Sequence, residues 1–243
     1  LIAILKGFKT SDSKAVVDMI NEVSNTSAID FSNITDGLRR VSGTLSQTGS
    51  SIEETIGLLT GGFGQLRDIE GVSAGLITIS QRLRGVDESG EVIEGLAPKL
   101  QAAFKGFAGI DIEDTNGELR STFDILNDMS KVFPTLTSKQ RQYLGELTSG
   151  NRQVKVLNAI LDNWNDVSKA IDSANSSTNS AIIENDKYLN SIEGKLKQTE
   201  TAFQSLSQNM INSDLFKGLI DGGTGLLNIL NSVIKVLGAF PTL

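Results

Sequence analysis

The densest group of side chains able to do chemistry is a run of carboxylates, Asp111, Glu113, Asp114 and Glu118, set about Asn116 and Gly117. Asp114, Asn116 and Glu118 alternate oxygen donors around a glycine, as a calcium loop would. An EF-hand, however, needs donors at fixed positions over about twelve residues, ending in a bidentate Glu. This segment does not supply them, and the same residue types make an ordinary solvated turn. A hydrolytic role for Asp111, Glu113 or Asp114 is the second chemical reading, and it places the reacting groups on a tight turn with no visible pocket. The glycine clusters Gly61 to Gly64 (GGFG) and Gly222 to Gly225 (GGTG) are the third. Neither is followed by the Lys and Ser or Thr of a phosphate loop, and neither follows a convincing strand, so both are expected to be helix breaks.

Composition narrows the chemistry further. The 243 residues contain no histidine and no cysteine, which removes the commonest general base, the usual zinc ligands, thiol nucleophiles and any disulfide framework. Serine and threonine are plentiful but lack a histidine to activate them, and a Ser and Lys dyad has no motif in its favour. No catalytic residue, metal site or cofactor is expected, and the chain is not expected to be an enzyme. With 22 basic against 29 acidic residues the net charge is −7, which argues against a sequence-independent grip on nucleic acid. Hydrophobic residues make up 39% and aromatics 5%, enough for a core that is mainly aliphatic and too little for stacking platforms.

Helical periodicity runs from end to end. Thr10, Ser11, Asp12 and Ser13 are capping candidates for a helix carrying Val16, Ile20 and Val23. A second helix carries Ile34, Leu38, Val41 and Leu45, and stops near Gly49. Ser50 with Glu53, or Ser51 with Glu54, forms a capping box before Ile52, Ile56 and Leu59. Ile69, Val72, Leu76, Ile79 and Leu83 then recur at steps of three and four, and a further helix is expected over Glu91 to Phe104. Ile110 to Ser121 alternates apolar and polar residues around Asn116 and Gly117, which predicts a small β-hairpin over about 110–121 closed by a type I′ turn. Helix resumes over Thr122 to Phe133 and stops at Pro134. Thr137 or Ser138 caps the next, which Thr148 to Gly150 breaks before a helix with Val154, Leu157, Ile160, Trp164, Val167 and Ile171. Within that stripe Trp164 is expected to be a core anchor.

Downstream of the almost apolar-free run Ser173 to Ser180 the pattern changes. Leu189, Ile192, Leu196, Thr199, Phe203, Leu206 and Met210 fall at alternating steps of three and four, an interaction seam along a helix of about six turns. A last apolar stripe, Leu226, Ile229, Leu230, Val233, Val236, Leu237 and Phe240, is too interrupted to span a bilayer. It carries one Lys, so packing on protein is favoured over lying on a membrane. The expected architecture is therefore all-α. A multi-helix bundle with one small hairpin occupies 1–172 and a linker occupies 173–180. A coiled-coil-like helix with an amphipathic C-terminal helix occupies 181–243. Leu1 to Phe8 (LIAILKGF) lacks the basic region and cleavage site of a signal peptide, and a chain opening without Met is expected to be part of a longer one.

Several phrases resemble one family in consistent order: LIAILKGF at the start, GLITISQRLRG (Gly75 to Gly85), DTNGELRSTFDILNDM (Asp114 to Met129), LTSKQRQYLGELTSGNRQVKVLNAIL (Leu136 to Leu161), SIEGKLKQTETAFQSL and SDLFKGLIDGGTGLL (Ser191 to Leu227). Together they resemble the central region of tail tape-measure proteins of long-tailed bacteriophages and prophages. That resemblance implies a non-enzymatic virion protein, mostly helical and elongated, around which the tail tube polymerises so that chain length sets tube length. It implies residence in the host cytoplasm during assembly and then in the tail lumen, with ejection ahead of the DNA and a part in crossing the host envelope. The partners it implies are tail-tube and tail-tip proteins, tail assembly chaperones, further copies of the chain through the seam, and the host membrane. Drawn out as one helix, the segment would span roughly 360 Å. The reading outside this family is a helical pore-forming or membrane-interacting toxin-like protein, with Leu226 to Phe240 as its apolar end.

Overall fold

Asp12 and Asp30 each turn a carboxylate back onto the backbone three residues ahead, accepting from the N–H of Ala15 at 2.9 Å and of Asn33 at 2.8 Å. Such caps contribute about 1 kcal/mol each by satisfying donors that a helix leaves open, and here they start α2 (Ser13–Thr26) and α3 (Phe31–Gln47). A computed structural model describes residues 1–191 together with Leu196, Lys197, Glu200, Thr201 and Gln204. The remaining described helices are α1 (Ile2–Gly7), α4 (Ile52–Leu66), α5 (Ile69–Leu83), α6 (Leu96–Ala103), α7 (Thr122–Val132), α8 (Ser138–Asp162), α9 (Trp164–Asn175) and α10 (Ser180–Asn190). Of the two capping boxes the sequence offers, Ser51 with Glu54 forms. Glu54 Oε2 accepts from the Ser51 N–H at 2.8 Å and Ser51 Oγ accepts from the Glu54 N–H at 3.1 Å. Thr137 and Gln140 form a second box at the head of α8.

The chain divides into two units, Leu1–Ile182 and Ile183–Leu243. In the first, α4 is the central pillar, in contact with α3, α5, α8 and α9, while α2 lies against α9 and α1 against α3. Nine consecutive residues of α4, Thr55 to Phe63, are buried. Thr55 and Thr60 lie within that run, and their hydroxyls donate to the carbonyls of Ser51 and Ile56 in their own helix, which removes the penalty for burying them. The predicted stripe of α3 (Ile34, Leu38, Val41, Leu45) is buried, and so is that of α5 (Val72, Leu76, Ile79, Leu83) except at its first residue, Ile69, which is part-buried. Trp164 is part-buried and stacks on Phe123 at 5.7 Å between centroids.

Three sequence expectations are corrected. The glycines at 61, 62 and 64 do not end a helix; α4 runs through them to Leu66. A side chain at Gly57 would meet the Val167 carbonyl at 2.9 Å and Ile171 at 2.7 Å, and one at Gly61 would meet Val167. The glycines thus form a groove that receives α9, and tertiary packing outweighs their poor helix propensity. The helix expected over Glu91 to Phe104 starts only at Leu96, after a turn and Gly95 at φ +71°, and runs into a π-helical turn, Phe104–Ala108. Finally, no strand forms among the described residues, and 110–121 is a turn closed by a single antiparallel bridge, Glu113 with Leu119. A type I′ turn needs positive φ at both central residues; Gly117 has φ +81°, but Asn116 does not adopt it. Ile110 and Ile112 are buried in the helical core instead of extending a ladder.

Two arginines of α5 and its C-terminus tie distant segments together. Arg84 donates to the Ser80 carbonyl, to Thr122 Oγ1 and to the Thr48 carbonyl at 3.0, 3.3 and 3.1 Å. It closes over a buried hydroxyl cluster of Thr48, Ser80 and Thr122. Burial pulls its pKa below the ordinary arginine value. Arg82 donates to the carbonyls of Leu147 and Glu146 at 3.1 and 3.3 Å, where Gly150 (φ +66°, ψ 161°) breaks the path of α8. The break falls within the predicted Thr148 to Gly150.

In the second unit α10 carries an exposed Lys187 and Glu184 pair at 3.5 Å. Among the described residues no helix is long and apolar enough to cross a membrane.

Candidate interaction surfaces

Three of the four carboxylates of the acidic turn are committed to different partners, while Glu118 engages Asp114 through its backbone. Asp114 Oδ1 accepts from the N–H groups of Asn116 and Glu118 at 2.8 and 2.9 Å. The Glu118 bond, followed by that of Asn116, holds its carboxyl below the usual value. Asp111 pairs with Lys105 at 2.9 Å, and Glu113 accepts from Gln101 at 3.2 Å. Among the described residues no three acidic side chains come together in a way that would hold a metal ion. The turn caps itself through Asp114, whose carboxylate faces backbone donors.

A second copy of this turn stands one helix upstream. Asp87 Oδ1 accepts from the N–H groups of Ser89 and Glu91 at 2.8 and 3.0 Å, Gly90 has φ +86°, and Val86 bridges Val92. The Ser89 hydroxyl, then the Glu91 N–H, lowers its carboxyl as in the other copy. The signal is the repeated pattern Asp-x-x-Gly-Glu-apolar at Asp87 to Val92 and Asp114 to Leu119, which composition and periodicity pass over because each copy is only six residues long. Each copy leaves its last apolar residue in solvent, Val92 at 82% and Leu119 at 40% exposure. From Val86 to Leu119 the chain holds eight Asp and Glu against two Lys. This stretch therefore carries most of the excess negative charge, and a phosphate backbone is not what it would bind.

The predicted seam is described at two positions. Leu189 is 39% and Leu196 65% exposed, and Ile182, seven residues before Leu189, is 50% exposed. Ile182 and Leu189 share α10, and apolar residues at that interval on a helix lie along one stripe. Ile192, Thr199, Phe203, Leu206 and Met210 lie outside the described residues, as does the whole C-terminal stripe of Leu226, Ile229, Leu230, Val233, Val236, Leu237 and Phe240. Phe107 and Tyr143, both half-exposed, meet edge to face at 6.0 Å on the first unit.

The run Ser173 to Ser180, expected to be a linker, is held by one face of α2. Ser173 to Asn175 complete α9, and Asn179 turns the chain at φ +63°. Asp18, 3% exposed, accepts from Lys14 Nζ at 2.9 Å, from the Asn179 N–H at 3.0 Å and from the Ala181 N–H at 3.1 Å. Lys14 also donates to Asn179 Oδ1 at 2.7 Å. The Ser180 hydroxyl donates to Glu22 at 2.6 Å and accepts from Asn21 at 3.0 Å, and Thr26 donates to Ser173 at 2.9 Å. Periodicity cannot see such contacts, since the residues joined lie far apart in the chain. The signal was the Lys14, Asp18 and Glu22 spacing, a polar stripe beside the apolar one.

A cleft of about 350 Å³ opens where the two halves of α8 meet Phe133, with Arg141, Asn158 and Asp162 among its lining. Compared with known proteins, residues 1–148 match the family model described as phage-related minor tail protein. No solved structure matches the chain.

Proposed function

The chain belongs to the phage-related minor tail protein family, and from that premise we propose that it is a segment of a tail tape-measure protein. A structural role in the phage tail, and a place in the virion, follow from the family itself. The finer reading has two parts. The helical body built by α1 to α9 engages tail-tip proteins and assembly chaperones, and the helix that begins at α10 starts the length around which tube subunits assemble. Residence in the tail lumen, ejection ahead of the DNA and contact with the host envelope belong to the same proposal, as does the absence of catalysis.

The observation that carries it is the contrast between the two kinds of apolar surface. In the body the stripes of α3 and α5 are buried against neighbouring helices, whereas Ile182, Leu189 and Leu196 stand exposed at seven-residue intervals. A chain that has packed one set of stripes and left the other open is suited to binding along a helix, to tube subunits or to further copies of itself. The turn carboxylates support a non-enzymatic reading, because Asp111, Glu113 and Asp114 are occupied with backbone or side-chain donors.

The test is tail length by electron microscopy after an in-frame deletion of Asp186 to Met210 in the parent phage. Tails shortened by about 1.5 Å for each residue removed support a measuring role for this helix. Tails of unchanged length would assign the segment to assembly or delivery and place the measuring elsewhere in the protein.

A further inference from the structure

We propose that the Lys14, Asp18, Asn21 and Glu22 face of α2 is a releasable latch on the α9–α10 junction, one that opens residues 176–182 while the helical core stays packed. The junction and the helix before it are held by different chemistry. Val167, Ala170 and Ala174 of α9 are buried, with Val167 and Ile171 against the glycine groove of α4, a contact made of close apolar surfaces. From Ser176 onward the holding contacts are polar. Only Ser177 and Ser180 are buried between Ser176 and Ile182, so no large apolar side chain resists opening.

The polar contacts converge on one side chain. The Asp18 carboxylate takes the N–H groups of Asn179 and Ala181 and the Lys14 ammonium together, and Glu22 and Asn21 add the Ser180 hydroxyl one turn along the same face. Segments with few buried apolar contacts open locally before the rest of a protein. A network of polar contacts along one helix face opens as a unit when one of its members loses its charge or its partners. The latch therefore divides the chain into a core whose packing ends with α9 and a joint that can be let go. This inference rests on the geometry of the first unit and not on the tape-measure reading.

Hydrogen–deuterium exchange read by mass spectrometry on the whole chain tests it, with Asp18→Asn and Ser180→Ala as variants. Amides of 176–182 exchange about tenfold faster in both variants, while those of α4 and α5 keep the wild-type rate. Acceleration of α4 and α5 to the same extent would show Asp18 to be merely part of the core, and unchanged rates at 176–182 would show that these bonds do not hold the junction. Either result overturns the latch. Should Asp18→Asn fail to fold, Ser180→Ala decides by the same criteria.

Discussion

The guanidinium of Arg82 lies over the backbone of Gly150: a side chain at Gly150 would meet Arg82 Nε at 3.5 Å, and the same Nε donates to the Leu147 carbonyl. An arginine of α5 thus caps the end of the first half of α8, donating to two carbonyls just before the break.

Gly150→Ala tests that arrangement. At φ +66° and ψ 161° the backbone sits in a region that only glycine enters freely, and forcing a side chain there costs about 1–3 kcal/mol. Thermal unfolding followed by circular dichroism is expected to show Tm falling by roughly 2–4 °C for each kcal/mol lost. An unchanged Tm would mean that the break relaxes without strain.

The groove of α4 is tested by a pair of glycines in different surroundings. Gly57→Ala pushes a methyl group into Ile171 and the Val167 carbonyl, and overpacking of this kind costs about 1–3 kcal/mol. Gly43 of α3 has open space where its side chain would stand, so Gly43→Ala is expected to stabilise by about 0.4–1 kcal/mol. Denaturant midpoints moving in opposite directions for the two variants are the expected outcome. Movement in the same direction would contradict the packing described.

Acid should loosen the α9–α10 junction. Burial pushes the Asp18 carboxyl up, but the bonds from Lys14, Ala181 and Asn179 together outweigh it and hold the group below its ordinary value. A depressed carboxylate contributes stability above its unfolded pKa of about 3.9, and that contribution is lost as pH falls through the lower folded value. Exchange protection at 176–182 is expected to be independent of this group from pH 5 to 8, falling below about pH 4, and in Asp18→Asn to be low at every pH. Glu54 runs the opposite way. Burial raises its pKa, with Asp124 and Glu53 adding to the shift against the Ser51 N–H, so its ionisation weakens the fold as pH rises.

The exposed seam is tested by charge. Leu189→Asp with Leu196→Asp places two carboxylates on the stripe, and a chain that associates through it loses that association. Sedimentation of the wild type is expected to show concentration-dependent mass and the double variant the monomer mass. Equal behaviour of the two would remove the seam as a self-association surface.

How much was legible in the sequence depended on whether the deciding contact was local. Caps at Asp12, Ser51 and Thr137, and the stripes of α3 and α5, are local or periodic and stand where the spacing puts them. Gly61 and Gly62 looked like an end because glycine is a poor helix former, and only Val167, Val72 and Ile160, brought in from elsewhere, explain why the helix continues. The hairpin expected at 110–121 failed for a related reason, since Ile110 and Ile112 found a helical core to enter. Of the candidate surfaces, the charge was visible, and the expected seam is described only at Leu189 and Leu196. The Asp18 cluster was not visible, because its partners come from the other end of the folded unit.

The burial of α4 sets a timetable for synthesis. Its residues leave the ribosome about 100 residues before Trp164, the first of the helix that fills its glycine groove. At ordinary elongation rates that interval is on the order of 5–20 s. Throughout it, a glycine-rich apolar helix stands without the surface that covers one of its sides, a state in which nascent chains aggregate. An architecture that encloses its early helix with its late ones therefore leaves one defined surface open for one defined interval, and the exposure ends when α9 emerges and folds back onto it.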